Sequence, residues 1–298
     1  MIHEYALDPG LLNNWEQWRY LTEKFGISQG RLISRYPKAW KKMVHEALEA
    51  CSPIERLRIV EKLNSIDDRM IHRFHEWARD GDWLTNAESE NAKRPFHAII
   101  AQTNPRADVS VLVADDLDEQ TPLWIVESEV KVKRQAEALG EAVAVLLALG
   151  RKLVFIDPHF SPYKPKARKT LKAFLAKVAA RTNGVPIEGI EFHTQYKPEI
   201  AGFAEECFAQ LPKRIPAGMK IKVIRWQERE GGEGLHNRYI LTERGGVRLA
   251  WGLDEGNPSH SDDISLLQPS MFAQTWAQYC GEDPAFEMYD ELWIEGSA

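Results

Sequence analysis

Cysteine is scarce in this chain of 298 residues, and its three cysteines lie far apart, with no Cys-x-x-Cys pair. This pattern argues against a disulfide framework or a zinc finger, and we expect a reducing, cytoplasmic setting. The N-terminus lacks a basic start followed by an apolar run, so we expect no signal peptide. The longest purely apolar run, Ala142 to Leu149, has eight residues. A bilayer span needs about 20, so we expect no membrane-spanning segment.

Acidic residues exceed basic ones, 44 against 38, and the net charge of −6 argues against indiscriminate binding of polyanions. The stretch from 151 to 183 reverses this balance, with nine basic residues and one acidic residue, Asp157. Two interpretations stay open: a solvated helix face, or a surface that meets a phosphate-bearing ligand. The second interpretation predicts phosphate contacts from Lys164, Lys166, Arg168 and Lys169.

The first third of the chain has helical patterning. Trp15, Trp18, Leu21 and Phe25 recur at helical spacing, and Ser52-Pro53 is typical of a helix start. We therefore predict a helical region over residues 1–93 with no strand in it. The polar stretch from 85 to 94 predicts a domain boundary, followed by a second domain over 96–298.

Beyond residue 96, short β-branched runs alternate with helical stripes. Leu153 to Ile156 is typical of a buried strand that ends at Asp157, and a helix-like stripe follows it. Segments 235–242 and 247–252 flank a Gly-Gly turn and predict a β-hairpin. This rhythm predicts an α/β sandwich with a partly parallel sheet.

His236 and Arg238 stand two residues apart in the first hairpin segment, so a strand would project them from the same face. A guanidinium can hold two phosphate oxygens, and an imidazole can act as nucleophile or proton donor near neutral pH. Taken alone, a His-x-Arg pair on a strand is more often structural than catalytic.

Three short motifs resemble those of the phospholipase D superfamily. His236-Asn237-Arg238 followed by Glu243 is similar to its His-x-Lys-x4-Asp motif, with Arg for Lys and Glu for Asp. Asp157-Pro158-His159 and Gly252-Leu253-Asp254 are similar to the phospholipase-D-like C-terminal domain of MIT-domain proteins, a membrane-binding version regarded as non-catalytic. A longer pattern also resembles bacterial proteins from mobile-element and antiphage defence neighbourhoods. It consists of His236-x-Arg238-Tyr239, Gly245-Gly246-Val247, Gly252-Leu253-Asp254-Glu255 and the segment 262–267. The resemblance covers about 96–295 and leaves the first third unexplained.

The resemblance implies a metal-independent, cofactor-free phosphodiester reaction. One histidine, His236, would form a phosphohistidine, and a second histidine would protonate the leaving oxygen. A homodimer would supply that second histidine from its partner chain, and His159 is the candidate within one chain. Arg238 would bind phosphate, and Glu243 would be the orienting carboxylate. The family's Gly-Ser-x-Asn ligands are replaced here by Ala250-Trp251-Gly252-Leu253.

Two functions therefore remain open from the sequence. The first is a cytoplasmic phosphodiesterase, a nuclease-like hydrolase of a prokaryotic defence or DNA-processing system. The alternative is a non-catalytic module that binds phosphate groups, in nucleic acid or anionic lipid, or protein partners. A metal-dependent nuclease pattern at Glu127, Glu129 and Lys131 is a minor alternative, and we interpret His72 and His75 as a structural pair and not as metal ligands.

Overall fold

The computed structural model describes residues 1–74, 76–78 and 80–298, so the predicted pair of His72 and His75 lies partly outside the described residues. The chain has a mixed α/β fold and divides into two compact units. The N-terminal unit comprises Ile2–Glu127 with Thr182–Gly184, and the C-terminal unit comprises Met1, Ser128–Arg181 and Val185–Ala298. Among the described residues, none of the helices combines the length and the apolar character that a membrane span requires.

The N-terminal unit is built on a parallel sheet of five strands in the order β3-β2-β1-β4-β5. Its strands are β1 (His3–Leu7), β2 (Arg31–Ser34), β3 (Met70–Ile71), β4 (Ala98–Ala101) and β5 (Val111–Val113). Its α-helices are α1 (Trp15–Thr22), α2 (Trp40–Ala47), α3 (Pro53–Asn64) and α4 (Trp83–Lys93). Buried aromatic and aliphatic side chains cover both faces of this sheet, in two separate clusters.

The structure corrects the prediction of a purely helical first 93 residues, because three strands lie within it. Helices α1 and α3 are confirmed, and Ser52 accepts a hydrogen bond from the Glu55 amide at the start of α3, with Pro53 in its first turn. The strands β1, β2 and β3 have two to five residues each. Buried parallel strands this short show no alternation that would separate them from helical segments.

The predicted boundary at 85–94 is also wrong, because this polar stretch lies in helix α4. The Asp82 carboxylate accepts a hydrogen bond from the Thr85 amide and begins the helix. Asn86 is buried and bonds to the backbone of Ala78 through both ends of its amide group. The polar residues here cap a helix and form a buried contact. The division between the units falls between Glu127 and Ser128.

The C-terminal unit contains a mixed sheet of eight strands in the order β13-β9-β8-β7-β10-β11-β12-β6. Strands β7, β8 and β9 are parallel, and the remaining pairings are antiparallel. The strands are β6 (Glu129–Lys133), β7 (Lys152–Ile156), β8 (Gly189–Gln195), β9 (Lys220–Gln227), β10 (Arg238–Thr242), β11 (Gly245–Leu249), β12 (Ser261–Leu266) and β13 (Glu287–Glu295). The α-helices are α5 (Ala136–Leu149), α6 (Pro165–Ala179), α7 (Phe203–Gln210) and α8 (Pro269–Cys280).

Alternation along the central strands assigns side chains to two cores. Val154 and Tyr239 belong to the cluster that includes Tyr279 of α8. Phe155 points the other way and stacks on Phe174 of α6, with ring centroids 5.5 Å apart. The predicted hairpin is confirmed as β10 and β11, and the alternation of strands with helices is confirmed from β7 to β9.

Candidate functional site

The site begins at Asp157, the residue that follows β7. Its side chain is 4% exposed, and its backbone amide donates to the His193 carbonyl on β8. One carboxylate oxygen accepts from the His159 amide at 2.9 Å, and the other accepts from the Leu253 amide at 2.9 Å. Asp157 therefore joins the end of β7 to the Gly252-Leu253-Asp254 loop.

A second buried carboxylate holds the other side of this loop. Asp262 is 1% exposed and accepts from the amides of Ala250 and Trp251, at 3.0 and 3.1 Å. Burial raises the pKa of Asp262, and the charge of Arg134 opposes that rise. A side chain at Gly252 would place its Cβ 3.4 Å from an Asp157 carboxylate oxygen and 3.2 Å from the Asp254 carboxylate. Gly252 also has a φ of +159°, a backbone conformation that residues with a side chain rarely adopt, so glycine is favoured at this position.

His159 lies at the exposed surface of the same strand end. Its Nδ1 atom is 2.9 Å from Nζ of Lys197, which follows β8, and its carbonyl accepts from Nζ of Lys164 at 3.4 Å. Partial burial lowers the pKa of His159, and the charges of Lys197, Arg238 and Lys164 lower it further. The Asp157 carboxylate acts in the opposite direction. Burial and the cations around the ring therefore both favour the neutral form of the imidazole.

Arg238 completes this group from the first position of β10. It is half-buried, and its Nη1 donates to the His236 carbonyl at 2.7 Å. Its Nε is buried and has no hydrogen-bond partner within the described part of the chain. We call His159, Lys164, Lys197 and Arg238 the basic cluster. His236 is exposed and precedes β10, so it does not project with Arg238 from a common strand face.

The four predicted phosphate contacts fall into different environments. Lys164 belongs to the basic cluster, and Lys166 lies 3.4 Å from the Gly256 carbonyl. Lys169 pairs with Glu255 at 2.8 Å, and Arg168 donates to the Pro162 carbonyl and lies 3.9 Å from Glu206. The basic stretch is therefore partly neutralised within its own unit, and Arg168 and Lys169 hold structural contacts.

Glu243 lies at the opposite end of the sheet from the basic cluster. Strand β10 runs antiparallel to β7, so the turn after β10 reaches the beginning of β7. There the Glu243 carboxylate accepts from the amides of Arg151 and Lys152 at 3.0 Å. The structure does not bring Glu243 to His236, and the predicted orienting role has no geometric support.

Lys197 is the residue that sequence reasoning missed. Parallel strands end at the same edge of a sheet, so a residue two positions beyond β8 falls beside one three positions beyond β7. That parallel pairing is the signal that could have found it. Two exposed aromatic rings also lie beside the site residues: Tyr163 precedes Lys164, and Trp251, 65% exposed, precedes Gly252.

In the described part of the chain, no group of three or more His, Cys, Asp or Glu residues is arranged to hold a metal ion. Two residues of the minor nuclease alternative lie on β6, where Lys131 forms an ion pair with Asp263 and Glu129 accepts a hydrogen bond from Ser265, and Glu127 precedes the strand. These are cross-strand contacts at the edge of the sheet.

Comparison with known proteins finds no matching family and no matching curated protein. Among solved structures, the chain is similar to TrmBL2, an archaeal chromatin protein whose structure shows a novel mode of DNA binding. The identity is 11% and the TM-score 0.27, over 82% of this chain and 86% of that one. A score this low establishes no common fold, so the geometry of the basic cluster carries the functional argument.

Proposed function

We propose that the C-terminal unit is a phospholipase-D-like module that binds the phosphate groups of nucleic acid at the basic cluster. The observation that carries this proposal is the convergence of Lys164, Lys197 and Arg238 on His159 without a carboxylate ion pair to any of the three cations among the described residues. Unpaired cations placed together repel one another, and a bound anion relieves that repulsion.

The local backbone adds to this charge. Lys164 is the residue immediately before α6, a helix of 15 residues, and no side chain caps the N-terminus of this helix. The unpaired amides at a helix start carry a partial positive charge that favours phosphate. Among the described residues that act on the charge of His159, Asp157 is the carboxylate, and both its oxygens already accept backbone amides.

Nucleic acid fits the surroundings better than a lipid surface. Exposed rings of Tyr163 and Trp251 adjoin the site residues, and Arg134 lies 5.9 Å from the Trp251 ring centre. Aromatic rings beside cations provide stacking platforms for the bases of a single strand. A module of this kind would contact the sugar-phosphate backbone with its cations and the bases with its aromatic rings.

A catalytic version of this proposal is metal-independent phosphodiester cleavage. Arg238 supports it by acting on the charge of His159 and by contacting the backbone of His236. His236 would attack phosphorus, the bond to the leaving oxygen would break, and protonated His159 would give its proton to that oxygen. Water would then hydrolyse the phosphohistidine. His159 lies in the same unit as His236, so a version within one chain and a homodimer version are separate predictions.

Binding of a labelled single-stranded oligonucleotide tests the proposal. Arg238→Ala should weaken binding, and the fall of log affinity with log salt should become shallower by about 0.7, the value of one phosphate contact on a single strand. Arg248→Ala is the matched control. Arg248 is exposed and lies opposite Tyr239 across β10 and β11, so its side chain is on the other face of the sheet from Arg238. Equal losses in the two variants, or tighter binding to anionic vesicles than to the oligonucleotide, would reject the proposal.

Cleavage is assayed on the same oligonucleotide in the presence of EDTA. The catalytic version predicts products in EDTA and none from His236→Ala. Products that disappear when EDTA is added would contradict it.

A further inference from the structure

The contact between Lys197 and His159 has a chemical consequence for the proposed phosphate site. A lysine ammonium has three hydrogen-bond donors and no acceptor, so Nδ1 of His159 must accept the hydrogen bond at 2.9 Å. A neutral imidazole that accepts at Nδ1 carries its proton on Nε2. The ammonium therefore selects one tautomer of His159 in the free protein.

An imidazolium is incompatible with this contact, because both of its ring nitrogens are donors. Protonation of His159 would place an N–H against the ammonium, so the two groups would have to separate. The groups that act on the imidazole from the surrounding elements are Lys197 after β8, Arg238 on β10, Lys164 before α6 and Asp157 after β7. Three of these four are cations, and together with burial they favour the neutral ring in the free protein.

We infer that Lys197 is a positioning residue that holds His159 neutral with its proton on Nε2, and that a bound phosphate takes Lys197 from the imidazole while His159 takes up a proton. This inference rests on the proposed function. The phosphate supplies negative charge to both groups: the ammonium gains an oxygen acceptor, and the imidazole gains an anion that stabilises its protonated form. The proton comes from solvent, and no covalent bond forms or breaks.

The exchange would connect phosphate binding to the catalytic version of the site. A neutral imidazole is a poor acid, whereas an imidazolium can protonate a leaving oxygen near neutral pH. His159 would acquire this capacity only when phosphate is present. The same event would leave the Lys197 ammonium on the phosphate, next to Arg238.

Nitrogen and proton NMR of the histidine rings in the full chain measures the first half of this inference without any ligand. We expect the Nε2–H tautomer for His159 and a pKa below the ordinary histidine value. Lys197→Met should mix the tautomers and raise the pKa of His159, though burial and Arg238 would keep it below the ordinary value. Lys197→Arg should keep the Nε2–H tautomer because a guanidinium also only donates. The control is Lys213→Met, which removes an exposed lysine from another part of the unit.

Titration with inorganic phosphate measures the second half. Calorimetry in buffers of different ionisation enthalpy should show that His159 takes up to one proton per phosphate, with the largest uptake between its free and bound pKa values. The uptake should be smaller in Lys197→Met, in which the pKa of His159 is already higher without phosphate. A free protein with the Nδ1–H tautomer, or a Lys197→Met variant with an unchanged His159 titration, overturns the positioning role. Phosphate that binds without proton uptake overturns the exchange and leaves the proposed function standing. Phosphate that does not bind at all overturns the exchange and the proposed phosphate site together, whereas the tautomer result still decides the positioning role.

Discussion

Replacement of Asp157 by alanine should destabilise the C-terminal unit at the place where the site is built. The carboxylate is 4% exposed and accepts two backbone amides at 2.9 Å, one of them the buried amide of Leu253. A hydrogen bond to a charged group contributes about 1.5–3 kcal/mol, and an unsatisfied buried donor costs about 1–3 kcal/mol. The His159 amide is closer to solvent and can bond to water, so the full loss applies to Leu253. Loss of the His159 bond adds about 1 kcal/mol to the ~1–3 kcal/mol for the buried Leu253 donor, so we expect a total of about 2–4 kcal/mol.

Native-state hydrogen exchange of the full chain measures this loss within the C-terminal unit. Asp157→Asn is the matched control, because its amide oxygen can still accept one backbone amide. The stability of Asp157→Asn should lie between that of the wild type and that of Asp157→Ala. In Asp157→Ala, the Leu253 amide should lose protection from exchange before the other amides of the C-terminal unit. A Leu253 amide that exchanges as slowly in Asp157→Ala as in the wild type would refute this account of the loop.

Three other predictions follow from individual contacts. Glu243→Gln should lower the stability of the C-terminal unit by about 1 kcal/mol, since it weakens bonds to the Arg151 and Lys152 amides, while oligonucleotide affinity stays unchanged; a loss of affinity would restore Glu243 to the site. Burial raises the pKa of Asp262, so its contribution to stability is complete below the unfolded pKa and is lost as pH rises through the folded pKa. In urea unfolding, Asp262→Asn should therefore gain stability relative to the wild type as pH rises above the unfolded pKa of about 4, and an unchanged difference would contradict this. A glutamate-specific protease should cut at exposed Glu127 before Glu88 or Glu90 of α4, and early cleavage within α4 would argue for the boundary at 85–94.

The parts of the site that follow a clear local pattern could be predicted from the sequence. A buried β-branched run ending at Asp157-Pro158 places His159 at the strand end, and a Gly-Gly turn between two apolar segments gives the hairpin of β10 and β11. These signals are local, because strand patterning and turn chemistry depend on neighbours in the sequence. Lys197 is 38 residues from His159 and has no local signal of its own.

The wrong predictions have a common physical cause. Residue type and local sequence do not fix which groups meet in the fold, and tertiary contacts decide what each residue does. The glutamate after β10 resembles a motif residue, yet the antiparallel pairing with β7 carries it to the far end of the sheet. The basic stretch reads as one charged surface, yet Lys169 and Lys177 pair with glutamates Glu255 and Glu141 in the folded unit. Short parallel strands in the N-terminal unit are defined by their pairing and not by alternation.

The most direct test of the central claim is the salt dependence of single-stranded oligonucleotide binding by two triple variants that remove the same charge. One variant replaces Lys164, Lys197 and Arg238 of the basic cluster by alanine. The other replaces three exposed basic residues elsewhere in the C-terminal unit: Lys172, Lys213 and Arg248. We predict that the cluster variant loses binding and that its slope of log affinity against log salt falls by about 2, three contacts at about 0.7 each, while the control variant keeps most of both. Equal losses in the two variants would show that only net charge matters and would contradict a phosphate site at the basic cluster.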